Sequence, residues 1–307
     1  MTTSKISTIP TYSPRNQQVR DDQLPCWSLK WRQGQLLVHL GHSVKQPVPS
    51  LESEQWLVQC LKRSPVRLIR IVPDLGEPSL NFWASACEQA SKSVFLRLSA
   101  AHQLPRQRCP LRWWLKRLID WSAAALLLLT LIPLMLGLVC LMRLQSPEPV
   151  FCWQWCVGER GKLFRLLKFR PMVMNAQTLH HRLILNQKSR LDREDDHSIT
   201  PLGRWMRKYS LDQLPQLFNV LRGEISLVGP RPWTLYDAVR ISPEFRQQLN
   251  ALPGIIGPKQ KEARSNLLNL DAVNRCNLEY LRRWSLWQDF KILLMTILKS
   301  TANLMWR

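Results

Sequence analysis

The sequence predicts a membrane-associated α+β protein: a helix-rich domain with a Pro-kinked re-entrant membrane helix and a β-hairpin, preceded by a small α/β domain. Three observations carry this prediction. From Trp121 to Met142 the chain has no charged residue. Two strand-like runs, Val150 to Val157 and Lys162 to Met172, flank the turn sequence G-E-R-G. Between Trp27 and Ala100, short apolar runs alternate with helical segments.

Residues 1–24 are polar and rich in Ser, Thr and Pro, which reads as a mobile tail. They carry no signal-peptide pattern, so the soluble parts are expected in the cytoplasm. Within residues 25–100, Leu36 to Leu40, Val66 to Val72 and Val94 to Leu98 read as strands. Ser53 to Lys62 and Pro78 to Ser91 read as helices, the first opened by capping-type residues at Ser53 and Glu54. The order β-α-β-α-β predicts a small α/β domain with a parallel sheet. No Gly-rich phosphate loop or acidic cluster lies in it, and its sequence assigns it no chemistry.

Residues 101–117 form a basic linker with Arg106, Arg108, Arg112, Lys116 and Arg117. The apolar run that follows, within residues 118–143, has the ~20-residue length that crosses a bilayer core. Pro133 lies near its middle, where it removes a backbone hydrogen bond and kinks the helix. Positive charge flanks both ends, from the linker on one side and from Arg143 and the Arg160 to Arg170 cluster on the other. A single span concentrates Lys and Arg on one side. Symmetric flanks therefore predict a re-entrant helix whose ends both return to the cytoplasmic face, with a plain span as the alternative.

In residues 144–307, Gly158 and Gly161 supply the hairpin turn. Lys168 and Arg170, two apart, share one strand face and suit a pyrophosphate, although a charge-protected edge strand has the same pattern. Asp192, Glu194, Asp195 and Asp196 read as a solvated loop or as oxygen ligands for a divalent cation, and His180, His181 and His197 lack partners at zinc spacing. A helix is predicted from Gly203 to Lys208 and another from Asp212 to Leu221, then a turn at Pro253 to Gly257. Helices over Leu267 to Arg283 and Leu286 to Leu298 close the chain, the last suited to the membrane interface or to the core.

A net charge of +21 over 307 residues calls for an anionic partner: nucleic acid, an anionic membrane face or a phosphorylated substrate. The basic residues cluster beside the uncharged apolar run, so no nucleic acid is expected. Eight scattered cysteines read as reduced thiols, and Cys152 with Cys156 alone is weak evidence for a metal. The stretch Tyr209 to Pro232 concentrates the chemistry. Asp212 has Arg207 and Lys208 upstream, and Arg222 and Arg231 follow. An Asp among guanidinium groups suits phosphate chemistry, since Arg pairs two phosphate oxygens at once. An N-capping Asp on a basic face is the plainer alternative.

Further residues carry a resemblance. They are K-R-L-I-D from Lys116, P-V-F with Gln154, V-G-x-x-G-K from Val157, K-F-R-x-M from Lys168 and T-x-x-G-R-x-x-R from Thr200. S-L-D-x-L-P-Q-L-x-N-V-L and G-E-x-S-L-V-G-P-R-P follow, then P-G-I-x-G with Gln260 and Arg264, and W-S-L-W-x-D to Asp289. This collinear series, over roughly the C-terminal 60% of the chain, resembles the bacterial sugar transferases, the monotopic polyprenyl-phosphate phosphoglycosyl transferases. The resemblance implies that Asp212 attacks the β-phosphorus of a UDP-sugar, releases UMP and passes the phosphosugar to polyprenyl phosphate. That step initiates exopolysaccharide synthesis at the cytoplasmic face of the inner membrane, with other assembly proteins as further partners. It implies Mg²⁺, held by Asp212 with Glu224 or the acidic loop, and phosphate binding by Lys168, Arg170, Arg207, Arg231 and Arg264. Gln213 stands where the family has a Glu, Pro171 where it has Thr or Ser, and Asn277 and Ser198 at two further departures. A Gln is neither a base nor a good Mg²⁺ ligand. The second hypothesis is therefore a catalytically impaired scaffold or regulator of polysaccharide assembly.

Overall fold

The computed structural model describes residues 27–40, 54–98, 104–146, 149–170, 200–258 and 270–305. The N-terminal unit is a four-stranded sheet in the order β1-β2-β3-β4: β1 Trp27–Arg32, β2 Gln35–Leu40, β3 Leu68–Ile71 and β4 Ser93–Leu96. β2, β3 and β4 run parallel, as the sequence predicts, and helices α1 (Glu54–Arg63) and α2 (Glu77–Gln89) connect them. β1 is an addition, pairing antiparallel with β2 across a turn in which Gln33 and Gly34 both take positive φ. Its signal was present in the strict alternation of Trp27, Leu29 and Trp31 with polar residues.

This unit shares a core with the rest of the chain. Ile69, Trp83 and Leu96 belong to one buried cluster with Val157, Leu163, Trp233 and Leu235. Gly161, at φ +76, sits so close that an added Cβ would lie 2.8 Å from the Leu96 carbonyl oxygen. Across the same seam Arg246 pairs with Asp74 at 3.1 Å, and Arg165 pairs with Glu88.

The segment expected as a linker is largely helical: α3 spans Pro105–Arg108, and α4 begins at Pro110 and runs to Gln145. Only 17% of the most apolar window of α4 is buried within the protein, and its mean hydropathy is 2.7. A core helix of a soluble protein is mostly covered; Leu126, Leu129 and Leu136 here are more than half exposed. α4 is thus long and apolar enough to cross a membrane, and the protein leaves most of that apolar surface uncovered. Its protein-facing stripe is narrow, with Lys116, Asp120, Ala124 and Leu128 each four residues apart. α4 continues as one helix through Pro133, which has no N–H to give to Leu129.

The C-terminal part carries the predicted hairpin, β5 (Phe151–Val157) against β6 (Leu163–Phe169), extended by β8 (Trp233–Thr234). α5 (Pro201–Lys208) and α6 (Gln216–Leu221) precede β7 (Ser226–Val228). The predicted turn at P-G-I-I-G is instead a strand, β9 (Gly254–Ile256), parallel to β7. Two Gly residues suggested a turn; Gly254 instead serves close backbone approach, since a Cβ there would overlap the Gly229 backbone. α7 (Leu235–Arg240), α8 (Leu270–Arg282) and α9 (Leu286–Met305) complete the chain. α9 packs on the core, one of the two placements the sequence left open. Ile292 and Leu293 pack on the second core, while Trp287 and Phe290 stack on its exposed face.

A buried polar knot fixes the base of α4. Lys116 Nζ donates to Asp289 Oδ2 at 2.6 Å and to the Val228 carbonyl at 3.0 Å. Asp120 Oδ2 accepts from Ser226 Oγ at 2.7 Å, and Tyr280 Oη donates to Asp289 Oδ1 at 2.6 Å. Burial and the adjacent Asp289 carboxylate push the Tyr280 phenol well above its ordinary range, so it stays a donor. Removing one partner of such a pair strands the other charge, at a cost of about 3–5 kcal/mol. Lys116→Met is expected to lose about that much stability, and adding Asp289→Asn to recover part of it. Thermal unfolding of the full chain in detergent, followed by tryptophan fluorescence, checks this. A double variant whose loss equals the sum of the losses of Lys116→Met and Asp289→Asn alone would show that the pairing itself contributes nothing.

Candidate active site

The loop bearing Asp212 is shaped by its neighbours. Thr200 caps α5 by accepting from the Gly203 N–H at 2.9 Å, and Pro201 opens the helix. α5 ends with Arg207 and Lys208 in its last turn. Ser210 then takes a left-handed conformation, φ 57 and ψ 24, which bends the chain into a separate 3₁₀ turn at Leu211–Gln213. Pro215 has no N–H to continue that turn, and α6 begins only at Gln216. Asp212 therefore does not open a long helix, as the sequence had suggested; it sits on a short turn held between α5 and β6.

Asn219 sets the position of β6. Its Oδ1 accepts from the Leu167 N–H at 3.1 Å, while its Nδ2 donates to the Arg165 carbonyl at 2.8 Å and to Glu224 Oε2 at 2.6 Å. A fully buried amide thus satisfies the edge of β6 as a neighbouring strand would, and ties α6 to the hairpin. Sequence reasoning gave Asn219 no role. Its signal was a polar residue on the buried face of a short helix.

The hairpin register places Cys152 opposite Lys168 and Gln154 opposite Leu166. Lys168 Nζ donates to Gln154 Oε1 at 2.9 Å. Burial pushes the Cys152 thiol above its ordinary pKa; Lys168, Arg170 and Arg207 oppose that shift and Asp212 reinforces it. Four of the residues singled out from sequence therefore act on one locale. Cys152 stays a protonated thiol there, and Asp212 is the carboxylate of the group. Further along the same strand face, burial raises Cys156 to about 12, opposed by Lys168 and Arg231. Arg231 thus lies toward the β8 end of this face.

The remaining sequence candidates lie elsewhere. Arg264 and the acidic residues 192–196 fall outside the described residues. Pro133 lies within α4. Glu224 is engaged by Asn219 and lines a cavity of which Asp212 is not a part. Among the described residues, no three His, Cys, Asp or Glu side chains converge on a metal position. Mg²⁺ commonly takes one or two carboxylates together with substrate phosphate oxygens. Asp212 fits that role with a diphosphate present, and Gln213 beside it offers only an amide oxygen.

The model of the family described as bacterial sugar transferase matches residues 111–303. An undecaprenyl-phosphate glucose phosphotransferase of Komagataeibacter xylinus is 38% identical over 207 residues, 62% of this chain and 37% of that protein. A UDP-glucose:undecaprenyl-phosphate glucose-1-phosphate transferase of Caulobacter vibrioides is 37% identical over 218 residues, 68% of this chain and 77% of that protein. A UDP-galactose-lipid carrier transferase of Erwinia amylovora is 29% identical over 286 residues, 91% of this chain and 57% of that protein. The aligned part of the chain spans only about two fifths of several such relatives. The family match runs from the first turn of α4 into α9 and takes in the whole Asp212 cluster, and the chain belongs to the bacterial sugar transferase family.

Proposed function

We propose that the chain transfers a sugar-1-phosphate from a UDP-sugar to polyprenyl phosphate, as the first step of exopolysaccharide assembly at the cytoplasmic face of the inner membrane. The observation that carries the reading is the gathering of Asp212 with Lys168, Arg170 and Arg207 around Cys152. The names of the relatives, which specify undecaprenyl phosphate with glucose or galactose, support the substrate classes.

In the first step an Asp212 carboxylate oxygen attacks the β-phosphorus of the UDP-sugar. The bond from that phosphorus to the bridging oxygen breaks, and UMP leaves with the electron pair. In the second step a phosphate oxygen of polyprenyl phosphate attacks the same phosphorus and releases the Asp212 carboxylate. Splitting the transfer through a covalent intermediate replaces one difficult displacement with two easier ones. Lys168, Arg170 and Arg207 offset the diphosphate charge, and a group already ionised at neutral pH needs no base to activate it. Bound Mg²⁺ would add Lewis-acid neutralisation of the phosphate oxygens.

The placement of α4 fits a lipid-phosphate acceptor. Its first turns are tied to β7 and α9 through Lys116 and Asp120. Its last residue, Gln145, is separated from β5 by Ser146 to Val150, a reach of at most about 20 Å. Both ends therefore attach to one folded body, which supports a re-entrant rather than a spanning helix.

Asp212→Asn is expected to lower UMP release from UDP-sugar by about a thousandfold or more in purified membranes with Mg²⁺. Retained activity in that variant would sink the covalent mechanism. If Gln213 limits metal use, Gln213→Glu is expected to raise turnover at low Mg²⁺; a wild type that is inactive until this change is made would favour the scaffold hypothesis. Lys168→Ala removes a charged phosphate contact worth roughly 1.5–3 kcal/mol, so kcat/KM is expected to fall by about ten- to a hundredfold. Steady-state kinetics with an unchanged kcat/KM would remove Lys168 from the site.

A further inference from the structure

We infer that the cavity between the small α/β unit and the β5–β6 hairpin is a second ligand site, one that takes a nucleoside phosphate. The cavity is about 510 Å³ and is lined from both sides of the seam. That size lies in the range of small-molecule sites, roughly 300–1,000 Å³. It is separate from the Asp212 cluster. Strand alternation puts Trp153, Trp155 and Arg165 on the hairpin face opposite Cys152 and Lys168, and the first three line the cavity while the last two do not.

The lining selects the ligand by charge and by ring. Lys92, Lys162, Arg165 and Arg222 face two carboxylates, Glu88 and Glu224. Arg165 is already paired with Glu88 and lies over the Trp155 ring, with its guanidinium carbon 5.1 Å from the centroid. Among the described residues, Lys162 and Arg222 take part in no ion pair, and both are exposed. The surplus is therefore positive and available to a phosphate. Trp153, 48% exposed, presents an indole to the same space. Base–aromatic stacking contributes about 1–3 kcal/mol and tolerates any base. Glu224 uses Oε2 for Asn219, leaving Oε1 to accept from a ribose hydroxyl. A phosphate held between Lys92 on one side and Lys162 with Arg222 on the other spans the seam. Binding there ties the small unit to the hairpin whose opposite face carries Lys168, which gives residues 27–98 a regulatory role.

Equilibrium dialysis of the detergent-solubilised full chain against radiolabelled AMP and GMP, neither of which is a product of the proposed transfer, with inorganic phosphate as competitor, tests the site by binding alone. It is therefore independent of the Asp212 chemistry. At least one nucleotide is expected to bind saturably. Lys162→Ala combined with Arg222→Ala is expected to weaken it tenfold or more, Trp153→Ala by about tenfold and Trp153→Phe much less, while Lys168→Ala leaves it within twofold. Thermal unfolding at the wild-type temperature confirms that each variant is folded. Three results would each overturn the inference: no saturable binding of any nucleotide, equal competition by inorganic phosphate, or binding lost in Lys168→Ala and kept in the double variant.

Discussion

The contact on which the architecture depends is the buried ion pair between Lys116 and Asp289. Both side chains are almost wholly excluded from water, and two ions in that setting are tolerable only with every remaining polar valence used. Asp289 meets that demand through Tyr280 and Trp284, and Lys116 through the Val228 carbonyl. The consequence is positional. A helix with little protein covering would otherwise pivot freely at its base, since contacts among apolar side chains are non-directional. Hydrogen bonds to fixed partners are directional, so α4 leaves the body at one angle, and the strand just before G-P-R-P is held by the same bonds.

A second consequence concerns the β5–β6 hairpin, which separates two environments by the simple alternation of a strand. One face gathers the cations and the Asp212 turn around Cys152; the other carries the tryptophans toward the N-terminal unit. β6 is an edge strand, and an edge is the part of a sheet most prone to slip. Asn219 closes that edge with two hydrogen bonds two residues apart. A slip of one residue would exchange the two faces and carry Lys168 away from Asp212. The geometry of the site thus rests on an amide that touches no reacting group.

Much of this was legible in the sequence, for identifiable reasons. The parallel order of β2, β3 and β4 followed from alternating strand and helix patterns, and the hairpin followed from two apolar runs about a Gly-containing turn. The association of Lys168, Arg170, Arg207 and Asp212 came through family resemblance, because these residues lie on three different elements. β9 was misread because glycines that permit close backbone approach look the same in sequence as glycines that permit a turn. The start of α6 was misplaced because Ser210 is not a residue type that announces a left-handed conformation. The shared core across the seam was invisible, since apolar periodicity reveals that a face is buried and not what covers it.

The departure at Gln213 has a physical setting that the sequence alone could not supply. The residue lies on the same 3₁₀ turn as Asp212 and is half-buried, so a Glu there would bring a second anion into a confined space. Two carboxylates in such proximity raise one another's pKa unless a cation intervenes. An amide at this position removes that repulsion and leaves Asp212 as the carboxylate beside Lys168, Arg170 and Arg207 around Cys152. Under the proposed mechanism the exchange also removes a candidate Mg²⁺ ligand from the turn, since an amide oxygen is a poorer ligand than a carboxylate. In that mechanism Mg²⁺ would be held chiefly through the diphosphate of the proposed substrate. In the proposed transfer the guanidinium and ammonium groups around Cys152 would then carry a larger share of transition-state charge than beside an acidic pair.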